Sequence, residues 1–590
     1  MRTVAKLALA FTLFAGASNA FETRFETEAD DSLTKALKAS SAVLQARQEG
    51  VETSEEIIAA VQADYGTLLS LLYREGYYGP VISIKVDGRE GADMSLISLP
   101  PQIDRVTISV TPGPRFVFGD ANVGPLTPGT ELPADFTTGE IARAGLVGDA
   151  SDAAVDAWRQ ASHAKAEPTS QRVVADHRDK TLDVDIEIDP GPPVTFGTLS
   201  FAGRSQVKEQ RLERIANFPS GAAYDPDTLT LVSSRLQKTG TFRSITLREA
   251  ETLNPDGSLD ITATLIDERR RRFGFGAEVS SLEGGTLSAY WMHRNITNHA
   301  DRLRFDGEIA GLGGSTGVDY SLSASYRRPA TPSKKTTLVV GTSIEHLDEP
   351  DFRSDTGEFT FGVDVESSLI STFSTSIGYR YSDVDDDFGH RIFHHLIFPV
   401  EGTRDRRDNT LNPKDGSYFA AEIMPFLGLY GSESGARLFV DGRGYESFGE
   451  DDRFTFAARL QLGSIIGADY TEVPPDMLFH SGGGGTVRGQ PYQSLGVDVG
   501  PLSSGGSSFV GLSTELRSVV RGPISLVGFL DVGGVGTDAL PGADAEWHSG
   551  AGLGLRYDTG VGPIRFDVAA PVSGSTSDGV QFYIGIGQAF

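Results

Sequence analysis

Few residues in this chain are of types that do chemistry, and their surroundings decide against most of them. Gly313-Gly314-Ser315-Thr316-Gly317 matches the G-x-S-x-G pattern that presents a serine nucleophile. That chemistry needs a strand, a sharp turn and then a helix. Here Val318-Asp319-Tyr320-Ser321-Leu322 follows and reads as a strand, so the pattern predicts a hairpin turn. His394-His395 and the acidic run Asp383, Asp385, Asp386 and Asp387 could hold a cation. No third ligand follows at metal-binding spacing, and the expectation is a wetted lumen or loop. Cysteine is absent, which excludes disulfides, thiolate metal sites and a cysteine nucleophile. The sequence therefore predicts no enzyme, no metal and no cofactor.

The remaining candidate is an arginine. His480 to Gly496, HSGGGGTVRGQPYQSLG, breaks the rhythm of short alternating strands on either side, with Gly482 to Gly485 leading into Thr486-Val487-Arg488-Gly489. Glycine admits positive φ and close backbone approach. The single Arg of this otherwise uncharged segment goes wherever the loop folds. Inside a barrel its guanidinium needs a carboxylate partner. Glu515 in STELRS and Asp531 in GFLDVGG are the candidates.

Val487-Arg488-Gly489 after a glycine run, Glu515 and Arg517 as an ExR pair, Gly528-Phe529-Leu530-Asp531 and the terminal Phe590 occur in this order in a strand-rich half. Together they resemble the POTRA-plus-barrel superfamily of outer-membrane assembly and secretion proteins, over almost all of the mature chain. The resemblance implies that the loop carrying VRG tucks into the barrel and that its Arg meets acidic residues of the two strands that follow. The usual aromatic after VRG is Gln490 here, so that one packing contact is expected to differ.

Further back, Met1 to Ala20 reads as a secretory signal: Arg2 and Lys6, an apolar run from Leu7 to Phe14, and Ser18-Asn19-Ala20 before the cut. That run is shorter than the roughly 20 residues a spanning helix needs. No other stretch is long and apolar enough, so any membrane span must be built from strands. A chain of 590 residues predicts several domains, and a net charge of −28 argues against a nucleic-acid partner.

Residues 21–272 read as three α+β modules of about 80 residues each, at 21–101, 102–192 and 193–272. In the first, Thr53 and Glu56 make a capping-box pattern ahead of a helix with Ile57, Ile58, Val61, Leu68, Leu69 and Leu72 on one side. Gly76 stops it, and Ile82, Ile84 and Val86 alternate in a strand. The second is expected to open with Ile103 to Val110 and to close on Leu182, Val184, Ile186 and Ile188. The third starts at Val194 to Phe201, carries a helix through Leu229, Val232 and Leu236, and ends with Leu259, Ile261, Ala263 and Leu265. RLQKTGTFRSI and LLYREGYYGPVISI resemble the helix-to-strand junctions of POTRA domains. An edge strand of such a small sheet can pair with an extended client; the plainer alternative is a passive spacer. Arg269 to Arg272 then meet either anionic headgroups or local carboxylates.

From Phe273 a hairpin rhythm predicts about sixteen antiparallel strands closed into a transmembrane β-barrel over 273–590, and the resemblance implies that the loop at about 468–507 folds inward. The first and last strands carry paired glycines, Gly274 and Gly276 after Phe273, and Gly585 and Gly587 before Phe590. Glycine weakens a strand. These residues therefore mark either a seam that opens or places where crowding in the lumen is relieved.

The expected protein sits in the outer membrane with its modules in the periplasm. The resemblance implies that it inserts and assembles client barrels such as autotransporters, with unfolded outer-membrane clients and outer-membrane lipid as its partners. Three modules resemble the TamA (translocation and assembly module) branch of the superfamily, which implies a TamB-like inner-membrane-anchored, periplasm-spanning partner. A two-partner-type polypeptide secretion channel or a passive porin is the alternative.

Overall fold

The computed structural model describes residues 21–590 except 96–98, 281–283, 315–316, 350, 367, 369, 500–501, 543–544, 561, 575–578 and 589. The signal segment 1–20 and Ser315 lie outside the described residues. The chain forms two compact units. One takes in residues up to Gly197 with Gly221–Pro226 and Leu253–Leu259, and the other takes in the rest.

In the first unit, helix Ser54–Arg74 starts on the expected cap: Thr53 Oγ1 accepts from the Glu56 amide and donates to Glu56 Oε2 at 2.6 Å. Its buried face holds Ile57, Ile58, Val61, Leu68, Leu71 and Leu72, with Leu69 only half-buried. The helix packs on a sheet whose order is Glu22–Thr27, Arg105–Thr111, Val81–Val86, Arg89–Glu90. Arg105–Thr111 was expected to open the second module, and this is a correction. It is an inner strand of the first sheet, parallel to Glu22–Thr27 and antiparallel to Val81–Val86, with Val106, Ile108 and Val110 buried in the first core. The boundary expected at 101/102 therefore falls after Thr111. Alternation says that one face of a strand is buried, not which sheet receives it.

The second sheet has Thr181–Asp189 between Val117–Gly124 and Glu167–Asp176, and Leu182, Val184, Ile186 and Ile188 face helix Ala144–Gln160. The third combines Thr195–Arg204, Ser258–Asp267 and Phe242–Glu249 with helices Glu209–Ala216 and Pro226–Lys238. Within the second unit this module is fused to the barrel. Ala300 and Ala330, on two barrel turns, are buried among Val207, Leu212, Ile215 and Val232. Arg214 Nε donates to the Ala330 carbonyl at 2.8 Å.

The barrel is closed and antiparallel, from Arg271–Ser280 to Gln581–Ile586. Its seventeen strand segments fill sixteen positions, because Gly389–Ile397 and Val400–Asp405 both pair with Ser371–Asp386 and with Gly416–Leu429. The break falls at Phe398-Pro399, where proline has no N–H to give the ladder. Alternation puts Phe275, Leu322, Ile344, Phe361 and Leu553 on the exposed outer face and charged residues in the lumen. Gly313 and Gly314 belong to the connection between the paired strands Arg302–Leu312 and Asp319–Arg328.

Candidate functional site

The described residues of 467–507 leave the strand Phe454–Ile466 and fold back into the lumen before Ser508–Arg521 begins. The loop has an apolar seat of its own: Val473, Met477, Leu478, Phe479, Leu495 and Val497 pack on Met424, Phe426, Phe509 and Val535 of the wall. Two of the four glycines, Gly482 and Gly483, take positive φ as the loop turns.

Arg488 is buried at the tip. Its Nε and Nη2 donate to the two carboxylate oxygens of Asp531 at 2.7 and 3.0 Å, and its amide to Asp531 Oδ2 at 3.1 Å. Nη1 donates to Glu515 Oε1 at 2.7 Å and to Asp567 Oδ2 at 3.4 Å. The guanidinium lies 3.6 Å from the centre of the Phe529 ring. Glu515, Asp531 and Asp567 come from three different strands, and each is at most 1 % exposed. So deep a set survives only if charges balance and every donor is used. Arg517 Nε reaches Glu515 Oε2 at 2.9 Å and Arg556 pairs with Asp567, so three Arg meet three carboxylates.

The backbone is drawn as close as the charges. Gly489 has φ +92°, and a β-carbon there would stand 2.8 Å from the Ala570 carbonyl. Opposite, a β-carbon on Gly550 would stand 2.0 Å from the Arg488 oxygen. Val487 is wholly buried beside them. Gln490, in place of the aromatic usual after VRG, is also wholly buried and its amide nitrogen spans the Ser549 and Ser573 carbonyls at 2.8 and 2.9 Å. Tyr583 Oη, on the last strand, accepts from the Gly489 amide at 3.1 Å.

The opposite wall holds the loop with reversed polarity. Asp476 is ion-paired to Arg380 and accepts from Thr356 Oγ1 at 3.2 Å, while Arg437 Nε donates to the Met477 carbonyl at 3.0 Å. Tyr492 and Gln493 donate to Glu349 Oε1 at 3.1 and 3.2 Å. The loop is thus tied across the lumen.

The structure brings Val487, Arg488, Gly489, Glu515, Arg517, Phe529 and Asp531 together. It adds Asp567, Arg556, Gln581 and Tyr583, which the sequence reading did not single out. Their only signal was a polar residue at an inward position mid-strand, as in Arg565-Phe566-Asp567-Val568. His394 and His395 point to opposite faces of one strand, the first at Tyr379 and the second against Phe426, so they cannot share an ion. Among the described residues no group of three or more His, Asp or Glu is placed to hold a metal.

The seam departs from expectation. Among the described residues the first and last strands pair at two positions, Val279 with Ile584 and Ser280 with Tyr583. Gly274 and Gly276 are not in that ladder: they pair with Tyr290 and Ser288 of the second strand, and a β-carbon at either would strike those side chains at 2.1 and 2.5 Å. That contact fits the second of the two readings, relief of crowding. Phe273 is exposed and pairs with Trp291. The last strand was expected to run to Phe590, but it ends at Ile586. Gly587, φ +101°, follows, Gln588 bonds Asn412 and Arg556, and Phe590 is buried beside Tyr445 with its carbonyl accepting from Arg517 Nη2 at 3.4 Å. Among the described residues Arg271–Glu278 has no ladder on the seam side.

Residues 295–590 match the Omp85 superfamily domain. The chain belongs to the Omp85 superfamily. Family and barrel together imply an outer-membrane location. Outer envelope protein 80, chloroplastic, of Arabidopsis thaliana is 24 % identical over 364 residues, 56 % of this chain and 47 % of that protein, so the chain spans about half the length of that relative. Two solved structures share the Omp85 barrel fold. BamA from Haemophilus ducreyi lacking POTRA domains 1–3 aligns with a TM-score of 0.58 at 17 % identity, covering 80 % of this chain and 100 % of that one. CdiB from Acinetobacter baumannii gives 0.52 at 12 %, covering 80 % and 90 %.

Proposed function

We propose that this Omp85 protein inserts and assembles client outer-membrane barrels, autotransporters among them, by parting its first and last strands. The observation that carries the reading is the seam. A closed barrel has no free edge, so an incoming strand needs a ladder that opens. Here, among the described residues, two residue pairs close it, and Arg271–Glu278 has no partner strand on that side. The three modules stand in the periplasm, where exposed edge strands such as Glu167–Asp176 recruit clients and a TamB-like inner-membrane-anchored protein by strand addition. No catalytic chemistry is required of it.

The test is reconstitution of the full chain in liposomes, following client insertion and solute flux together. Client insertion without flux supports the assembly role. Steady flux or outward passage of a polypeptide, with no client inserted, replaces it with a secretion channel or porin.

A further inference from the structure

Arg302 begins a barrel strand at the end where the third module sits. It is half-buried, and among the described residues its guanidinium has neither a hydrogen bond nor an ion pair. The charges around it are mostly alike: Arg327, Arg304 and Arg294, with Asp364 of opposite sign. Asp364 is already taken by Arg327, Nη1 to Oδ2 at 2.7 Å. A cavity of about 210 Å³ opens beside them. Arg235, Lys238, Arg302, Arg327, Lys334 and Lys335 line it, Arg235 and Lys238 with interactions of their own, and among the described residues Asp364 is the one carboxylate on that lining. So strong a positive excess is unexpected in a chain of net charge −28. Like charges gathered around a partly desolvated space repel, and a bound anion removes the repulsion.

The rest of the lining narrows the choice of anion. Ile215, Ala330 and Val365 give the cavity an apolar side. Lys334 and Lys335 lie on the exposed turn joining two membrane strands. Thr336 and Val365, paired in register, fall in line with the outward-facing Ile344 and Phe361. The cavity therefore reaches the rim where lipid headgroups stand, with charge inside and apolar surface beside it.

We infer that this cavity binds the phosphate group of an anionic lipid headgroup. The bound phosphate bridges helix Pro226–Lys238 of the third module to the barrel rim, so the leaflet itself holds the module in place. This site is independent of the luminal loop and of the seam, and its test does not depend on client insertion.

Full-length protein in neutral detergent micelles is titrated with phosphatidylglycerol, with phosphatidylcholine or with inorganic phosphate, reading unfolding temperature and lipid retention by native mass spectrometry. Phosphatidylglycerol is expected to raise the unfolding temperature and remain bound, and phosphatidylcholine to do neither. Arg302→Gln, and separately Lys334→Gln with Lys335→Gln on the exposed turn, should weaken that binding by about five-fold per charge removed. The turn variant tests the site without touching the packed wall. An equal response to both lipids, or an unchanged response in both variants, overturns the site. Stabilisation by inorganic phosphate to which lipid adds nothing overturns the lipid assignment.

Discussion

Glu278 on the first barrel strand and Arg565 on the penultimate one are ion-paired at 2.7 Å, passing over Gly585 of the strand between them. A β-carbon on Gly585 would stand 3.0 Å from Arg565 Nε and 3.4 Å from Glu278 Oε1, so a side chain there would crowd the bridge. Because Glu278 is half exposed, the pair adds little to stability, on the order of 0–1 kcal/mol. Among the described residues, two ladder pairs and this weak bridge close the seam.

Locking that seam should stop assembly. Val279 and Ile584 are register partners that both face outward, and no native cysteine interferes. Val279→Cys with Ile584→Cys is expected to form a disulfide, since only Cα atoms within about 7 Å can be bridged. Client insertion should drop at least about ten-fold when oxidised, an increase in barrier of about 1.4 kcal/mol, and return on reduction. Equal insertion by both forms would refute strand parting.

Arg488→Ala leaves three buried carboxylates facing two arginines. Glu515 keeps Arg517 and Asp567 keeps Arg556, so the orphaned charge is Asp531. Breaking one side of a buried pair costs about 3–5 kcal/mol. Arg488→Ala should lower the unfolding temperature and impair client insertion while the barrel still reaches the membrane. Adding Asp531→Ala should restore part of the stability but not the activity. If the double change is as unstable as the sum of the singles, Asp531 is not the main partner.

Much of this was legible in the sequence, and the gaps have a common cause. Inward and outward alternation exposed the barrel, and the resemblance implied that Glu515 and Asp531 meet Arg488. It carries no register. Asp567 and Tyr583 lie 79 and 94 residues from the loop residues they touch, and only strand pairing brings them there. Register also decides that Arg105–Thr111 belongs to the first sheet and that Gly274 sits under Tyr290 and not at the seam. Phe590 resembled the end of a strand, yet Gly587 turns it into the lumen, where Arg517 holds its carbonyl.

Gly550→Ala should unseat the loop without altering any charge. The new methyl would lie 2.0 Å from the Arg488 oxygen, a backbone atom that cannot swing aside. Overpacking of this kind costs about 1–3 kcal/mol. Gly444→Ala, on a strand with no heavy atom within 4 Å of the new methyl, is the matched control. Limited proteolysis between residues 480 and 496 should be faster in Gly550→Ala and unchanged in the control.

The loop's other tether should respond to pH. Glu349, on the turn after strand Thr336–Asp348, is buried, and its carboxyl is pushed up to about 7 from an ordinary 4.5, first by burial and then by Asp319, Asp351 and Asp348. Tyr492 and Gln493 donate to Oε1, while Oε2 is buried with no partner among the described residues and is suited to carry the proton. Released into water, the group would return to its ordinary value. Between those two values the tethered state holds a proton that the released state has lost, so raising the pH favours release. The tether is firmest near pH 4.5, weakens as the pH rises toward 7 and is constant above that. Glu349→Gln removes the titration and keeps an amide in place of the protonated acid. Wild-type protein reconstituted in planar bilayers should therefore show more frequent channel openings at pH 8 than at pH 5, and Glu349→Gln should resemble wild type at pH 5 throughout. Openings in Glu349→Gln that keep the wild-type dependence on pH would place the switch at another group.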